Sequence, residues 1–293
     1  MDPKNDNLKC LQHYVHVHKI QVLIVEETYF TELGQKTERV EKYLHSKSHH
    51  HLLSSSAHRA GISIFSFIGD VKLRPRDFTT SSALASLQWK SLDFALAGIY
   101  FATHGPTRLE QISDFDSKLA DHDFSSALLM GDFNFVPNPI LDKINSSARN
   151  TNTTGLREFD ATIATKLNLT DVWRDANPGK RGATCTSKSH RVVRTRLDRA
   201  LASPDLTPFI SIPRHIPFAC SDHDGIFITI SSPENANVAK PLHIFDDALL
   251  ADDAFNKEMK LLFDNDSPDP IPSDPTDATL PVYHTASTRF SAS

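Results

Sequence analysis

Short apolar runs separated by polar turns recur through the first 230 residues of the chain. Each run is four to ten residues long and rich in Val, Ile, Phe, Leu or Ala, a pattern typical of buried β-strands. The runs that predict strands lie at 20–25, 61–68, 92–101, 127–130, 183–186, 195–202 and 226–230.

Other stretches carry apolar residues at three- and four-residue spacing, the period of an α-helix. The clearest is 107–124, where Leu109, Ile112, Phe115 and Leu119 would share one face. Further helical patterns lie at 8–17 and 156–167. Because strands and helices interleave, we predict a layered α/β sandwich rather than a helical bundle.

A change of composition after residue 230 separates a globular part from a tail. We predict one domain over 1–230 and a polar linker over 231–240. The pattern of 241–263 predicts an acidic amphipathic helix that acts as a connector. Residues 264–293 are rich in Pro and Asp, a composition that predicts disorder.

The charge is unevenly distributed along the chain. The 31 Lys and Arg residues against 36 Asp and Glu give a net charge of −5, which excludes a uniformly basic wrapper of nucleic acid. Residues 241–293 hold three basic and ten acidic residues, so the remainder carries +2. A weakly basic body is compatible with a polyanionic substrate.

The cysteines and the apolar runs bear on the cellular compartment. Cys10, Cys185 and Cys220 are odd in number and far apart, which excludes a disulfide framework and a cysteine-based zinc site. No apolar run is long enough to span a bilayer, and the start has no signal-peptide pattern. We expect an intracellular protein, nuclear or cytoplasmic, with no disulfide partner and no membrane partner.

Acidic and polar side chains follow the apolar runs, where strand ends meet the edge of a sheet. They are Glu26 and Glu27, Asp132 and Asn134, Asp198, and Asp222 with His223. Carboxylates gathered at one edge repel one another, and a hard cation such as Mg2+ relieves that repulsion. A histidine among them can donate to a phosphate oxygen while an aspartate holds its other ring nitrogen. The set predicts metal-assisted hydrolysis of a phosphoester.

A basic stretch at 179–199 adjoins this predicted site. It holds Lys180, Arg181, Lys188, Arg191, Arg194, Arg196 and Arg199 against the single acid Asp198. Two interpretations stay open: a solvated charged loop, or a surface that steers the phosphate backbone of a nucleic acid.

Six segments carry a more specific signal because they occur in a fixed order. They are LIVEETYF, AGIYFATHGPTR, ALLMGDFNFVPNPILDK, LTDVWRDANP, TRLDRALAS and CSDHD. Over about 8–230 this series resembles the endonuclease/exonuclease/phosphatase superfamily, and within it the apurinic-type endonuclease domain of non-LTR (LINE-like) retrotransposon polyproteins. The resemblance implies an α/β (α+β) fold: a four-layer α/β/β/α sandwich of two mixed β-sheets flanked by helices.

The resemblance also implies five catalytic residues. Tyr100 would contact the scissile phosphate. Asp132 would orient or deprotonate the attacking water, and Asn134 would help to place that water and the phosphate. Asp198 would orient His223, which would offset charge on the phosphate oxygens.

The metal ligands follow from the same resemblance. Glu27 would be the principal Mg2+ ligand, with Mn2+ as the alternative ion, and Glu26 takes the place of a glutamine. Asp222 would lie beside this metal or at a second metal position. The predicted nucleic-acid-binding residues are Arg108, which keeps its place in the family pattern, and Lys188, Arg191, Arg194 and Arg196 of the basic stretch.

The chain departs from the family pattern at its start. The family begins with a strand whose asparagine helps to bind the metal, whereas this sequence starts at what resembles the following helix. We therefore expect that strand and its asparagine to be missing, which would expose backbone groups of its sheet neighbours. Thr103 also stands where the family has an asparagine.

By resemblance, the function is that of a Mg2+-dependent enzyme, a retrotransposon-type DNA endonuclease that nicks target DNA and leaves a 3′-OH. Two alternatives stay open: a phosphoesterase of the same superfamily acting on lipid or small phosphates, and a truncated, inactive remnant that at most binds nucleic acid. Residues 241–263 resemble the connector to a reverse transcriptase, but no polymerase motif follows, so we expect that parent domain to be absent from this chain.

Overall fold

The computed structural model describes residues 3–26, 44, 47–53, 61–145, 153–187, 193–218, 221–233 and 279–285. The helices in these ranges are α1 (Pro3–Val17), α2 (Gly105–Ala120), α3 (Leu156–Phe159, continued by a π-helical turn at Asp160–Ala164) and α4 (Val172–Ala176), with a 3-10 turn at Thr207–Phe209. The strands are β1 (Val22–Val25), β2 (His50–Leu53), β3 (Ser63–Ser66), β4 (Lys72–Phe78), β5 (Ser82–Trp89), β6 (Leu92–Tyr100), β7 (Ala127–Asp132), β8 (Lys143–Ile144), β9 (Thr170–Asp171), β10 (Cys185–Ser187), β11 (Val193–Thr195), β12 (Asp198–Ala202), β13 (Arg214–Pro217), β14 (Asp224–Ser231) and β15 (Thr279–Thr285). None of these helices has both the length and the apolar composition needed to cross a membrane.

The strands form two six-stranded sheets and one small sheet. The first sheet has the order β13-β14-β15-β1-β3-β2, and the second has the order β4-β5-β6-β7-β12-β9. Both are mixed, because β1 runs parallel to β15 and β6 runs parallel to β7 while the other pairs are antiparallel. The small sheet has the order β10-β11-β8.

The alternation of side chains along β1 explains how the first sheet is packed. Val22 and Ile24 are fully buried in the core between the two large sheets. Leu23 and Val25 point to the opposite face, where they join a second buried cluster with Leu11 of α1. Since successive strand residues face opposite sides, the four residues of β1 contribute to both the core between the sheets and the cluster beneath α1.

Helices α2 and α3 cover the outer face of the second sheet. Ile99 of β6 and Leu129 of β7 are buried there with Ile112 and Phe115 of α2. Phe159 of α3 belongs to the same cluster. The layers are therefore helix, sheet, sheet and helix, which confirms the predicted α/β class and its two mixed sheets.

A glycine at the end of β7 allows β6 and β7 to approach closely. A Cβ atom on Gly131 would lie 1.9 Å from the carbonyl oxygen of Ile99 and 2.6 Å from Glu26 Oε1. The parallel pairing beyond it sets Tyr100 beside Asp132. The two predicted catalytic residues therefore lie at the same edge of the sheet.

The segment Thr279–Thr285 corrects the prediction of disorder over 264–293. It forms β15, which lies inside the first sheet, parallel to β1 and antiparallel to β14. Its neighbours pair with it on both sides, an arrangement that the Pro- and Asp-rich composition around it does not reveal. The connector at 241–263 and the rest of the tail lie outside the described residues.

Candidate metal and catalytic centre

Four separate segments bring acidic side chains and a histidine to one edge between the two large sheets. Asp132 ends β7 and Asp198 begins β12, and the two are direct register partners on these antiparallel strands. Glu26 follows β1 in the opposite sheet, and its Oε1 accepts a hydrogen bond of 3.1 Å from the backbone N–H of Asp132. His223 immediately precedes β14. The segments that converge are the ones in which the sequence analysis found acidic residues or a histidine next to an apolar run.

Asp198 holds His223 by a direct hydrogen bond. His223 Nδ1 donates to Asp198 Oδ2 over 2.9 Å, and the Asp198 backbone N–H donates to Thr184 Oγ1 over 3.1 Å. Burial favours the neutral ring, but the charge and hydrogen bond of Asp198 outweigh it and raise the pKa of His223 above its usual range. Burial likewise opposes ionisation of Asp198, but His223 lowers the pKa of Asp198. The pair is therefore an oriented imidazolium held by a carboxylate.

Asp132 is fixed by Asn134, two residues further along the same turn. The backbone N–H of Asn134 donates to Asp132 Oδ1 over 2.8 Å, and its side-chain Nδ2 donates to Asp132 Oδ2 over 2.9 Å. Asn134 has a φ of +53°, a left-handed conformation that asparagine tolerates well. Burial, followed by the charge of Asp198, raises the pKa of Asp132 to about 8. A carboxyl that titrates near neutral pH suits a general base.

Two sets of side chains have the spacing of metal ligands. One ligand atom from each of Glu26, Asp198 and His284 lies within 4.8 Å of the others, and the same holds for Asp132, Asp198 and His223. The residues Glu26, Asp198 and His284 are 0% exposed. Burial raises the pKa of Glu26, an effect that the nearby His284 opposes. Oxygen and imidazole donors in such a cluster fit a divalent cation.

The sets found among the described residues contain neither of the two predicted metal ligands. Glu27 lies outside the described residues. Asp222 is exposed and belongs to neither of the clusters found in the described residues. Glu26 is buried and continues the inward alternation of Val22 and Ile24, so this alternation in the sequence could have identified it.

His284 is the residue that sequence reasoning missed entirely. It lies on β15, where it is register partner to Ile24 of β1 and Ile226 of β14. Its Nε2 donates a hydrogen bond of 2.7 Å to Glu26 Oε1. Burial favours the neutral ring, but Glu26 outweighs it and raises the pKa of His284. A histidine inside a Pro- and Asp-rich tail gave no signal for this position.

Arg196 is buried within an ion-pair network, which contradicts its predicted role in binding nucleic acid. Its side chain is 0% exposed; Nε contacts Asp142 Oδ1 at 2.7 Å, and Nη2 contacts Asp171 Oδ2 at 2.8 Å. Arg174 also pairs with Asp142. The guanidinium carbon of Arg196 lies 5.2 Å from the ring centre of Trp173. A phosphate cannot reach a guanidinium enclosed in this way.

Arg108 is also buried, so the same correction applies to it. Its Nη1 donates to the carbonyl oxygens of Ala102 and Asn134 over 2.8 and 2.6 Å, and its Nε donates to that of Thr154 over 2.7 Å. These bonds tie the start of α2 to the turn that carries Asn134. Arg108 therefore supports the shape of the site from behind.

Of the other predicted nucleic-acid ligands, the structure describes Arg194. Lys188 and Arg191 lie outside the described residues. Arg194 on β11 is half-buried, and its charge acts on Asp224, where it opposes the effect of burial in raising the pKa of Asp224. Tyr100 is half-buried at the end of β6. Arg194 is the described arginine of the predicted set that retains access to solvent.

His215 on β13 makes the stability of the fold depend on pH. Its ring stacks on Trp173 with centroids 5.2 Å apart and an interplanar angle of 22°. Burial, together with the charge of Arg196, lowers the pKa of His215 to about 4 from 6.5. Between these two values the unfolded chain binds a proton that the folded chain does not bind. The stability that neutral His215 contributes is therefore complete above pH 6.5 and is lost as the pH falls toward 4.

We expect His215→Gln to reduce the acid sensitivity of the fold. Between pH 7 and pH 5 the free energy of unfolding of the wild-type protein should fall by about 2 kcal/mol more than that of the variant. Urea denaturation at the two pH values measures this difference. Equal losses in both proteins would contradict a depressed pKa at His215.

Comparisons with known proteins identify the fold. No protein-family model and no curated protein matches the sequence. A 3′-5′ exonuclease from Neisseria meningitidis (NExo) is 17% identical with a TM-score of 0.59, over 75% of this chain and 93% of that one. An AP endonuclease from Archaeoglobus fulgidus is 19% identical with a TM-score of 0.57, over 75% and 92%. The endonuclease domain of TRAS1, a telomere-specific non-LTR retrotransposon, is 16% identical with a TM-score of 0.54, over 78% and 93%.

These alignments cover nearly the whole of each solved chain and about three quarters of this one. Their identities are low, so the likeness is one of fold. The layers, the mixed sheets and the ordered motifs all agree with it. The chain shares the α/β sandwich fold of these solved structures, as the sequence predicted.

Proposed function

We propose that the protein is a metal-dependent phosphodiesterase that nicks DNA and leaves a 3′-OH, in the manner of a retrotransposon endonuclease. The observation that carries the proposal is the convergence of Glu26, Asp132, Asp198 and His223 at one edge between the two sheets, with His223 bonded to Asp198. A nucleic-acid substrate is supported by the similar solved structures, which are named as an exonuclease, an AP endonuclease and a retrotransposon endonuclease domain.

The acidic residues fit a divalent cation, Mg2+ or Mn2+. Glu26 Oε2 and Asp198 Oδ1 are buried and, among the described residues, have no hydrogen-bond partner. Buried carboxylate oxygens without partners are costly, and a cation is the ligand that satisfies them. Glu26 and Asp198 would hold the ion, which supplies positive charge next to the scissile phosphate.

The protein's own side chains account for the remaining chemistry. Asp132, with its raised pKa, accepts a proton from the attacking water. Asn134 holds both oxygens of Asp132 and so fixes the direction of that proton transfer. His223, kept protonated and oriented by Asp198, donates to a phosphate oxygen as charge develops there. Tyr100, at the adjacent strand end, contacts the phosphate.

Nicking of supercoiled plasmid tests the proposal. We expect nicking with Mg2+ or Mn2+, none with EDTA, and ends that a DNA polymerase extends without further treatment. Asp132→Ala and His223→Ala should each lower the rate by about 100-fold or more. Asp116→Ala is the control, because Asp116 is a helix carboxylate that pairs only with Lys166 at 2.7 Å among the described residues.

Other outcomes distinguish the alternatives. Turnover of a soluble phosphate ester or a phospholipid without plasmid nicking would favour a phosphoesterase of lipid or small phosphates. Ends that require phosphatase treatment before extension would contradict the 3′-OH product. Absence of metal-dependent hydrolysis of any of these substrates by the folded chain would favour an inactive remnant.

A further inference from the structure

The C-terminal strand β15 lies at the centre of the first sheet. It pairs with β1 over Val282–Thr285 on one side and with β14 over Thr279–His284 on the other. Val282 of this strand is 0% exposed and belongs to the core between the two sheets. Without β15, the backbone groups of β1 and β14 that face each other would have no partners, which is unfavourable in a buried sheet. The C-terminal segment is therefore a structural part of the domain.

His284 extends this role from the sheet to the candidate site. It lies two residues beyond Val282, so both side chains face the interior between the sheets. Its ring is 0% exposed, and Nε2 donates to Glu26 Oε1 over 2.7 Å. When a cation takes the place of the Nε2 proton, the lone pair of Nε2 and Glu26 Oε1 face the same point and can bind one ion.

Two unsatisfied carboxylate oxygens in this cluster point to a ligand. Among the described residues, Glu26 Oε2 and Asp198 Oδ1 are buried and have no hydrogen-bond partner. Burying a charged oxygen without a partner is unfavourable, so the cluster favours a bound cation. Glu26, Asp198 and His284 each place one ligand atom within 4.8 Å of the others. Two carboxylates and an imidazole form a donor set for a divalent transition metal.

We propose that His284 is a ligand of the divalent cation together with Glu26 and Asp198, so that the C-terminal strand completes the metal site. This inference rests on the metal dependence in the proposed function. It places a metal ligand 258 residues away in sequence from its neighbour Glu26. An imidazole ligand also favours Mn2+ over Mg2+, because Mg2+ prefers oxygen ligands.

The spectrum of bound Mn2+ in the full chain tests this ligand directly. Electron spin-echo envelope modulation should detect a nitrogen coupling in the wild-type protein. The coupling should be lost in His284→Gln, whose amide can still donate to Glu26, and the Kd for Mn2+ should rise about tenfold or more. His16→Ala, a change at an exposed helix position, should leave both unchanged. A coupling that survives in His284→Gln, or is absent from the wild-type protein, would overturn the proposal.

His223→Gln addresses the competing cluster of Asp132, Asp198 and His223. We expect it to retain the nitrogen coupling of Mn2+. Loss of the coupling in His223→Gln with retention in His284→Gln would assign the metal to the other cluster and overturn the proposal.

Hydrogen exchange of the wild-type chain provides a test that needs no variant. We expect the amides of Thr279–Thr285 to be protected as strongly as those of β14, and Mn2+ to slow their exchange about tenfold or more relative to EDTA. Exchange at the rate of an unstructured peptide would overturn the proposal.

Plasmid nicking on the same samples separates this inference from the proposed function. Nicking together with a nitrogen coupling that does not depend on His284 would overturn only this inference. A nitrogen coupling that depends on His284, without nicking, would overturn only the proposed function.

Discussion

Asp198→Asn should lower the rate of metal-dependent DNA nicking by about 100- to 10,000-fold while the protein remains folded. Asp198 accepts the hydrogen bond of His223 Nδ1 and keeps that ring protonated. An asparagine has nearly the same shape but no charge, so the pKa of His223 falls and the ring presents the wrong protonation state to the phosphate. The variant also loses a carboxylate of the candidate metal site. The loss is measured as the nicking rate at saturating DNA.

The double variant separates a catalytic pair from two independent residues. If Asp198 acts through His223, then Asp198→Asn combined with His223→Ala should be little slower than the slower single variant. Asp116→Asn serves as the control for an asparagine substitution at a carboxylate outside the site. Losses that multiply in the double variant, or a wild-type rate in Asp198→Asn, would contradict the role of this pair. A cooperative thermal transition in each variant excludes unfolding as the cause.

The part of the fold that could be predicted is the part encoded by local pattern. The apolar runs before Glu26, Asp132 and Asp198 each form a strand, and their polar ends meet at one edge. The order of the motifs therefore predicted the convergence of Asp132, Asn134, Asp198 and His223. What motif spacing did not reveal is that Glu26 faces inward. Its orientation follows from the alternation of side chains along β1.

The features that were not predicted depend on contacts distant in sequence. Strand β15 is seven residues long and pairs with both β1 and β14. The Pro- and Asp-rich composition of the tail around it gave no sign that this segment joins the sheet. In the basic stretch, a residue that was predicted to bind a ligand has a structural role instead. Arg196 was assigned to nucleic acid because its neighbours are cationic, whereas Asp142, which neutralises it, lies 54 residues earlier in the chain. Burial and charge pairing of this kind become visible only once the segments are brought together.

Arg196→Ala should lower the free energy of unfolding by about 3–5 kcal/mol. The substitution removes a buried guanidinium that contacts Asp142 at 2.7 Å and Asp171 at 2.8 Å. Asp142 is 0% exposed, so its charge would remain in the interior with only Arg174 as a partner. Chemical denaturation measures the loss. A change below about 1 kcal/mol would contradict a structural role for Arg196.

Arg194→Ala is the matched change two residues away, and it separates structure from DNA binding. Because Arg194 is half-buried, its removal should cost less than about 1 kcal/mol of stability. It should nevertheless weaken DNA binding and reduce the salt dependence of that binding by about one phosphate contact. Folded Arg196→Ala, measured where it is still native, should bind DNA with unchanged affinity, because its guanidinium lies behind the surface. A lower affinity and a smaller salt dependence in Arg196→Ala would instead mean that this side chain reaches the phosphate backbone.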